Sequence, residues 1–309
     1  GGVGGVAGGP RPQAHPPGAG RGQARPGRPA TSRLKAVTTP DDPAMDAPAN
    51  DPAAARPGAP PLTPGSALFL DIDGTLVRPE DHPDDVRIEP GLIALLERLG
   101  DAMAGAIALI SGRSLAGIDA LFAPARFGAA GQHGAERRSR HGTLHCHAGP
   151  ADRLREPAAR LRRLVAAEPG LLLEEKGATL ALHYRNAPQA AALAEREAHA
   201  IVRELGEDFE LQAGKFVLEV KPSGKDKGTA IAEFLAEPPF AGRTPVFVGD
   251  DLTDELGFAL VNRVGGESVK VGAGPTRARW RLSGADEVRR WLAAFVADGT
   301  TDPRGSERA

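Results

Sequence analysis

Residues 67–76 read ALFLDIDGTL, and this stretch decides the fold. Ala67, Leu68, Phe69 and Leu70 form an unbroken apolar run, with Pro64 and Gly65 before it and Asp71 and Asp73 after it. A short run that is apolar at every residue is the mark of a strand buried on both faces of a parallel sheet. In an open α/β sheet, ligands lie beyond the carboxyl ends of the strands. Both acids therefore belong in a crevice, where Gly74 supplies a sharp turn. Two carboxylates at such a point suggest a metal.

Working outward, Pro79 to Arg87 is a polar loop, and Leu92, Leu95, Leu96 and Leu99 then have helical spacing, with Gly100 as a stop. Ala104 to Ile110 is a second apolar strand ending in Ser111-Gly112-Arg113, and Leu115, Ile118, Leu121 and Phe122 mark another amphipathic helix. Strand and helix alternating over short links predict a right-handed parallel α/β sheet. Phe127 to Glu136 is Gly-rich and reads as a short strand breaking into a loop.

Beyond about Gly142 the pattern changes. Arg153 to Ala167 and Pro188 to Leu205 read as helices. Leu171 to Glu174 and Thr179 to Tyr184 read as strands around Lys176-Gly177, and Phe209 to Gln212 and Phe216 to Val220 as strands around Gly214. Helix, hairpin, helix, hairpin is an α+β layer. The parallel pattern then resumes with a helix at Thr229 to Leu235, a strand at Val246 to Val248 ending in Gly249-Asp250-Asp251, and a helix at Glu255 to Val261. Ser268 to Val271 reads as the last strand and Ala285 to Val296 as the closing helix.

The expected fold is thus a Rossmann-like, doubly wound parallel-sheet core carrying an inserted α+β cap. The core takes residues 64–141 and 222–297 and the cap 142–221. Residues 1–63, rich in Gly, Pro, Ala and Arg with few large apolar side chains, are expected to be a disordered tail, and 298–309 a frayed one.

A chain of 309 residues with 41% apolar and 25% charged content can bury one large core or two moderate ones. No apolar run approaches the roughly 20 residues of a membrane helix, and no secretory signal pattern opens the chain, so the expected place is the cytoplasm. A net charge of -2 argues against general nucleic-acid binding, although residues 1–40 carry Arg11, Arg21, Arg25, Arg28, Arg33 and Lys35 and no acid. A single cysteine, Cys146, excludes an internal disulfide, and adjacent side chains in His145-Cys146-His147 point to opposite faces, which disfavours zinc.

Asp71-Ile72-Asp73-Gly74-Thr75-Leu76 after an apolar strand, then Ser111-Gly112, Lys227, and Asp250 with Asp251 and Asp254, fall at strand ends or helix starts in one order along the chain. This set resembles the motifs of the haloacid dehalogenase-like phosphohydrolases. The resemblance implies that Asp71 is a nucleophile and Asp73 an acid/base, that Mg²⁺ is held by Asp71, Asp73 and Asp250 with Asp251 and Asp254 completing or orienting the shell, and that Ser111, Gly112 and Lys227 cradle a phosphoryl group. Lys227 is preferred because the family's lysine precedes a Gly at a helix start; Lys225 is the alternative.

GQHGAE at 131–136, LEEKGATLALHYR at 173–185 and FVLEVKPSGKDKG at 216–228 further resemble the trehalose-6-phosphate phosphatases, a branch with an α/β cap, over about Ala67 to Val296. The resemblance implies a Mg²⁺-dependent phosphatase for a sugar phosphate, trehalose 6-phosphate, with functional coupling to a trehalose-6-phosphate synthase left open. It implies that Glu174, Lys176 and Glu219 face the sugar, with Arg113, Gln132, His133, His183 and Arg185 as further contacts. A phosphatase for another sugar phosphate and a catalytically silent regulatory protein of the same fold are the alternatives.

Overall fold

The structure, a computed structural model, describes Gly1 and residues 55–79, 85–146, 151–214 and 216–299. The strands are β1 (Arg56–Pro57), β2 (Ser66–Leu70), β3 (Ile107–Ile110), β4 (Gly128–Gly131), β5 (Glu136–Arg138), β6 (Leu144–Cys146), β7 (Leu172–Glu175), β8 (Leu180–His183), β9 (Phe209–Gly214), β10 (Val217–Pro222), β11 (Thr244–Gly249), β12 (Glu267–Val271) and β13 (Trp280–Leu282). The helices are α1 (Pro90–Ala102), α2 (Leu115–Phe122), α3 (Arg155–Ala167), α4 (Ala191–Leu205), α5 (Lys227–Leu235), α6 (Asp254–Arg263) and α7 (Ala285–Gly299). Among the described residues no helix is long and apolar enough to cross a membrane.

One nine-stranded sheet runs β1-β13-β12-β11-β2-β3-β4-β5-β6, parallel from β1 to β4 and antiparallel at β5 and β6. Every residue of β2 is buried, as its unbroken apolar run requires. Leu70 pairs with Val248 on β11 and with Leu109 on β3, so Asp71, Asp250 and Ser111 emerge at the same end of the sheet. Phe69 packs on Phe240 and Phe234 at ring distances of 5.4 and 6.0 Å, and the helices pack in pairs, α1 on α7 and α5 on α6. This is the expected doubly wound α/β core.

A separate antiparallel sheet, β7-β8-β10-β9, lies in the chain between β6 and α5 and is covered by α3 and α4. Its apolar cluster, built around Leu161, Leu182, Ile201 and Leu218, shares no residue with that of the large sheet. The α+β layer is therefore an insertion with its own core.

Four differences from expectation concern where the large sheet, the inserted layer and the tails begin and end. The tail expected over 1–63 ends earlier, because Arg56–Pro57 pairs with β13 and the Trp291 indole donates to the Pro60 carbonyl; residues 2–54 lie outside the described set. Val271 does not close the sheet, because the alternating Trp280-Arg281-Leu282 adds β13, a strand with no apolar run to announce it. Gly142 sits in the β5–β6 turn, its N–H bonded to the Ser139 carbonyl, so the chain leaves the large sheet only after Cys146. The last helix continues to Gly299, two residues into the tail expected to be frayed from 298.

Candidate active site

The carboxyl ends of β2, β3 and β11 deliver the acids and the serine. Gly74 follows at φ +82° with its N–H on the Val77 carbonyl, and a Cβ there would overlap the Asp250 carboxylate, so the turn admits glycine alone. The lysine is placed by a helix start. Asp226 accepts the Thr229 N–H at 2.7 Å while the Thr229 hydroxyl accepts the Asp226 N–H at 2.9 Å, a reciprocal cap that begins α5 at Lys227. From there the Lys227 ammonium, 3% exposed, reaches Asp71 Oδ1 at 2.8 Å and Asp254 Oδ1 at 2.7 Å. Lys225 pairs instead with Glu233 at 2.8 Å.

Asp254 is fully buried, and its second oxygen accepts the N–H groups of Asp250 and Asp251, both at 2.9 Å. It therefore ties Lys227 to the loop that carries the other two acids. Asp251 accepts the Thr253 N–H and hydroxyl at 2.8 and 2.6 Å. Lys270, buried at the carboxyl end of β12, donates to the Asp250 carbonyl; nothing in the sequence reading pointed to it, although a lysine between Val269 and Val271 on an expected strand was a visible signal.

Asp71, Asp250 and Asp254 each bring a carboxylate oxygen within 4.8 Å of the others. Burial first, and then the nearby carboxylates of Asp250 and Asp251, push Asp71 up to about 8; burial with Asp254 and Asp251 pushes Asp250 up to about 7. Burial with Asp71 and Asp251 likewise raises Asp254 to about 8, whereas Asp254 and Asp71 overcome burial to hold Lys227 well above the usual lysine range. An all-oxygen donor set with negative charge in excess of its lysine fits a hard divalent cation. Both Asp254 oxygens are engaged, one by Lys227 and the other by the Asp250 and Asp251 N–H groups.

A cavity of about 270 Å³ opens between the two sheets. Asp71, Asp73, Ser111, Gly112, Lys227 and Asp251 line its large-sheet end, and Glu174, Lys176, His183 and Arg185 line it from the small sheet, with Arg113 and His133 between. Asp73 is gripped by the Arg113 guanidinium, Nε to Oδ2 and Nη2 to Oδ1, both at 2.7 Å. His183 Nε2 lies 3.1 Å from Glu174 Oε2. Two expected contacts do not line this cavity. Gln132 is buried with its Oε1 unpartnered, and Glu219, 4% exposed, is held by Lys176, Thr179 and His133. Glu219 was expected to face the sugar from the family resemblance alone; its pairing with Lys176 and Thr179 joins β10 to the turn between β7 and β8 and could not be read locally.

Comparison with known proteins agrees with this geometry. Residues 69–285 match the trehalose-phosphatase family model. Over 237 residues the chain is 48% identical to the trehalose-6-phosphate phosphatase of Escherichia coli, covering 75% of this chain and 87% of that protein. It is 44% identical over 232 residues to a probable trehalose-phosphate phosphatase of Sinorhizobium fredii, covering 74% and 87%. A crystal structure of a trehalose-6-phosphate phosphatase related protein matches with a TM-score of 0.65 at 27% identity, covering 75% of this chain and 97% of that one. With the match running from β2 to the start of α7 and so taking in both sheets, this chain belongs to the trehalose-phosphatase family.

Proposed function

We propose that this chain hydrolyses trehalose 6-phosphate to trehalose and inorganic phosphate in the cavity between its two sheets. The observation that carries the reading is the polarity of that cavity. Asp71, Ser111 and Lys227 line one end, suited to a phosphoryl group, and Glu174 and Lys176 line the other, where charged groups bond sugar hydroxyls strongly. The small sheet with α3 and α4 then acts as a cap domain, bounded by residues 147 and 222. In this reading the substrate comes from a trehalose-6-phosphate synthase in the same compartment, the cytoplasm.

Asp71, with one oxygen held by Lys227, attacks phosphorus through the other, and the phosphorus–sugar oxygen bond breaks as the aspartyl phosphate forms. Asp73 gives the departing oxygen its proton, then takes one from the water that attacks phosphorus and frees Asp71. To reach that oxygen, Asp73 must leave the Arg113 fork that engages both its oxygens. In this reading the Ser111 hydroxyl, the Gly112 N–H and the Lys227 ammonium take up the charge of the phosphoryl oxygens, all three residues bordering the cavity. Asp71, Asp250 and the Asp73 carbonyl would hold Mg²⁺, which when bound neutralises charge on the phosphoryl group, while Asp251 and Asp254 orient the loop.

The test is phosphate release from trehalose 6-phosphate, glucose 6-phosphate, sucrose 6-phosphate and an aryl phosphate, with Mg²⁺ and with chelator, using Asp71→Asn as the blank. Preference for trehalose 6-phosphate that chelator and Asp71→Asn both abolish is expected. Preference for another phosphate, or no release at all, overturns the reading.

A further inference from the structure

His133 has no part in the reaction as described, yet it lines the cavity and bonds across it to the small sheet. It stands with Gln132 in the left-handed region, at φ 54° and 49°, a conformation that non-glycine residues keep only when their surroundings impose it. The surroundings are the phosphate end of the cavity. The Gln132 N–H donates to the Arg113 carbonyl at 2.8 Å and the His133 N–H to the Ser111 carbonyl at 3.0 Å, which stitches this tight turn to the Ser111–Arg113 loop. The imidazole then lies against Gly112 so closely that a Cβ there would sit 2.7 Å from its Cε1 and Nε2. Glycine at 112 thus makes room for the ring.

From that position His133 Nε2 reaches across to the small sheet and meets Glu219 Oε2 at 3.0 Å. The other Glu219 oxygen accepts the Thr179 hydroxyl at 2.7 Å and faces Lys176 Nζ at 3.2 Å. Lys176 closes the circuit by donating back to the Gly112 carbonyl at 3.1 Å. His133 and Glu219 are 8% and 4% exposed, so the contact between them is largely shielded from water, where such bonds are strong and costly to leave half-made.

We propose that His133 is a positioning residue that clamps the small sheet to the phosphate end of the cavity: by holding Glu219 it pins Lys176 over the Gly112 carbonyl and so sets the sugar end at a fixed distance from the phosphoryl end. The proposal rests on the reading of the cavity as a sugar-phosphate site. It accounts for a glutamate expected to face sugar lying instead behind Lys176, and for a strained turn beside the Ser111–Arg113 loop.

The experiment compares His133→Asn, whose amide suits a left-handed position but is too short to reach Glu219, with His133→Gln, which carries the same amide about one carbon further. Folding of both is checked by circular dichroism, and kinetics are measured on trehalose 6-phosphate. His133→Asn is expected to raise KM about tenfold with a smaller fall in kcat, and His133→Gln to recover most of that loss, as removal of a binding rather than a transition-state contact requires. In a double-mutant cycle, His133→Asn added to Glu219→Gln should cost little beyond Glu219→Gln alone. Equal loss in Asn and Gln, or additive losses in the cycle, overturns the clamp while leaving the phosphatase reading intact. A wild-type chain that leaves trehalose 6-phosphate untouched overturns that reading, and the clamp with it.

Discussion

Lys225 and Lys227 stand two residues apart on the approach to α5, and burial alone separates their roles. Lys227 is sealed between Asp71 and Asp254, and the charge it neutralises cannot be taken over by water. Lys227→Met should therefore lower the stability of the chain by about 3 kcal/mol, the usual consequence of leaving a buried carboxylate without its partner, and should abolish phosphate release. Lys225 meets Glu233 where both side chains are roughly a quarter exposed, a setting in which ion pairs contribute at most about 1 kcal/mol. Urea unfolding of the two methionine variants measures the difference. Equal midpoints would show that the Lys227 cluster is solvated and that the assignment of the phosphate lysine is wrong.

Most elements were legible because their signals are local. The apolar run at 67–70 and the leucine spacing at 92–99 need no distant partner to be read, and both elements form there, although α1 runs through Gly100, expected as its stop, to Ala102. β13 and the β5–β6 hairpin were missed for the opposite reason: Trp280-Arg281-Leu282 and Glu136-Arg137-Arg138 become strands only because an open sheet edge lies beside them. The site divides along the same line. Asp71, Ser111 and Asp250 follow from strand ends, whereas Glu219 on β10 acquires its partners from the turn between β7 and β8 and from the turn after β4. Those partners make a pH prediction at the scale of the small sheet. Burial alone would raise Glu219, but Lys176 and His133, with the Thr179 hydroxyl, hold it well below its ordinary value of 4.5. A carboxylate depressed in the folded state contributes stability that is present in full above its unfolded pKa and is lost as pH falls through the folded one. Acid titration of the wild-type chain should therefore loosen β8 and β10 progressively below about pH 4.5, and Glu219→Gln should remove that part of the slope. Near-UV circular dichroism of Tyr184, which packs edge-on against Phe216 beside this sheet, reports it. Identical acid slopes in wild type and variant would mean that Glu219 titrates as an ordinary surface acid.

At the scale of the whole molecule, the end of the segment read as tail, at Arg56–Pro57, joins the large sheet. Arg56 lies over the Trp280 ring at 5.6 Å, its N–H bonds the Arg279 carbonyl, and Trp291 donates to the Pro60 carbonyl at 3.0 Å. A chain starting at Pro64 should be about 2 kcal/mol less stable than one starting at Ala55, since it exposes the β13 edge and orphans the indole donor. Equal thermal midpoints would show that β1 is ornamental. The larger question is how the two sheets work together. Their apolar clusters share no residue, and the cross-connections described at the cavity are the polar bonds from Lys176 to Gly112 and from Glu219 to His133. Units joined by polar contacts rather than a common core move relative to one another unless a ligand spans them. A ligand that fills only the phosphoryl end should hold the loop at 111–113 and the start of α5, leaving the small sheet free to open. One that also carries the sugar should hold both. Hydrogen exchange on the Asp71→Asn chain with Mg²⁺ separates the two cases. Inorganic phosphate is expected to slow exchange at 111–113 and 227–230 alone, whereas trehalose 6-phosphate at about 100 times its Kd, stabilising the bound state by about 2.7 kcal/mol, should also slow β7, β8 and β10. Equal protection of those strands by phosphate alone would mean that closure does not depend on the sugar, and that specificity for it must then arise from contacts within an already closed cavity.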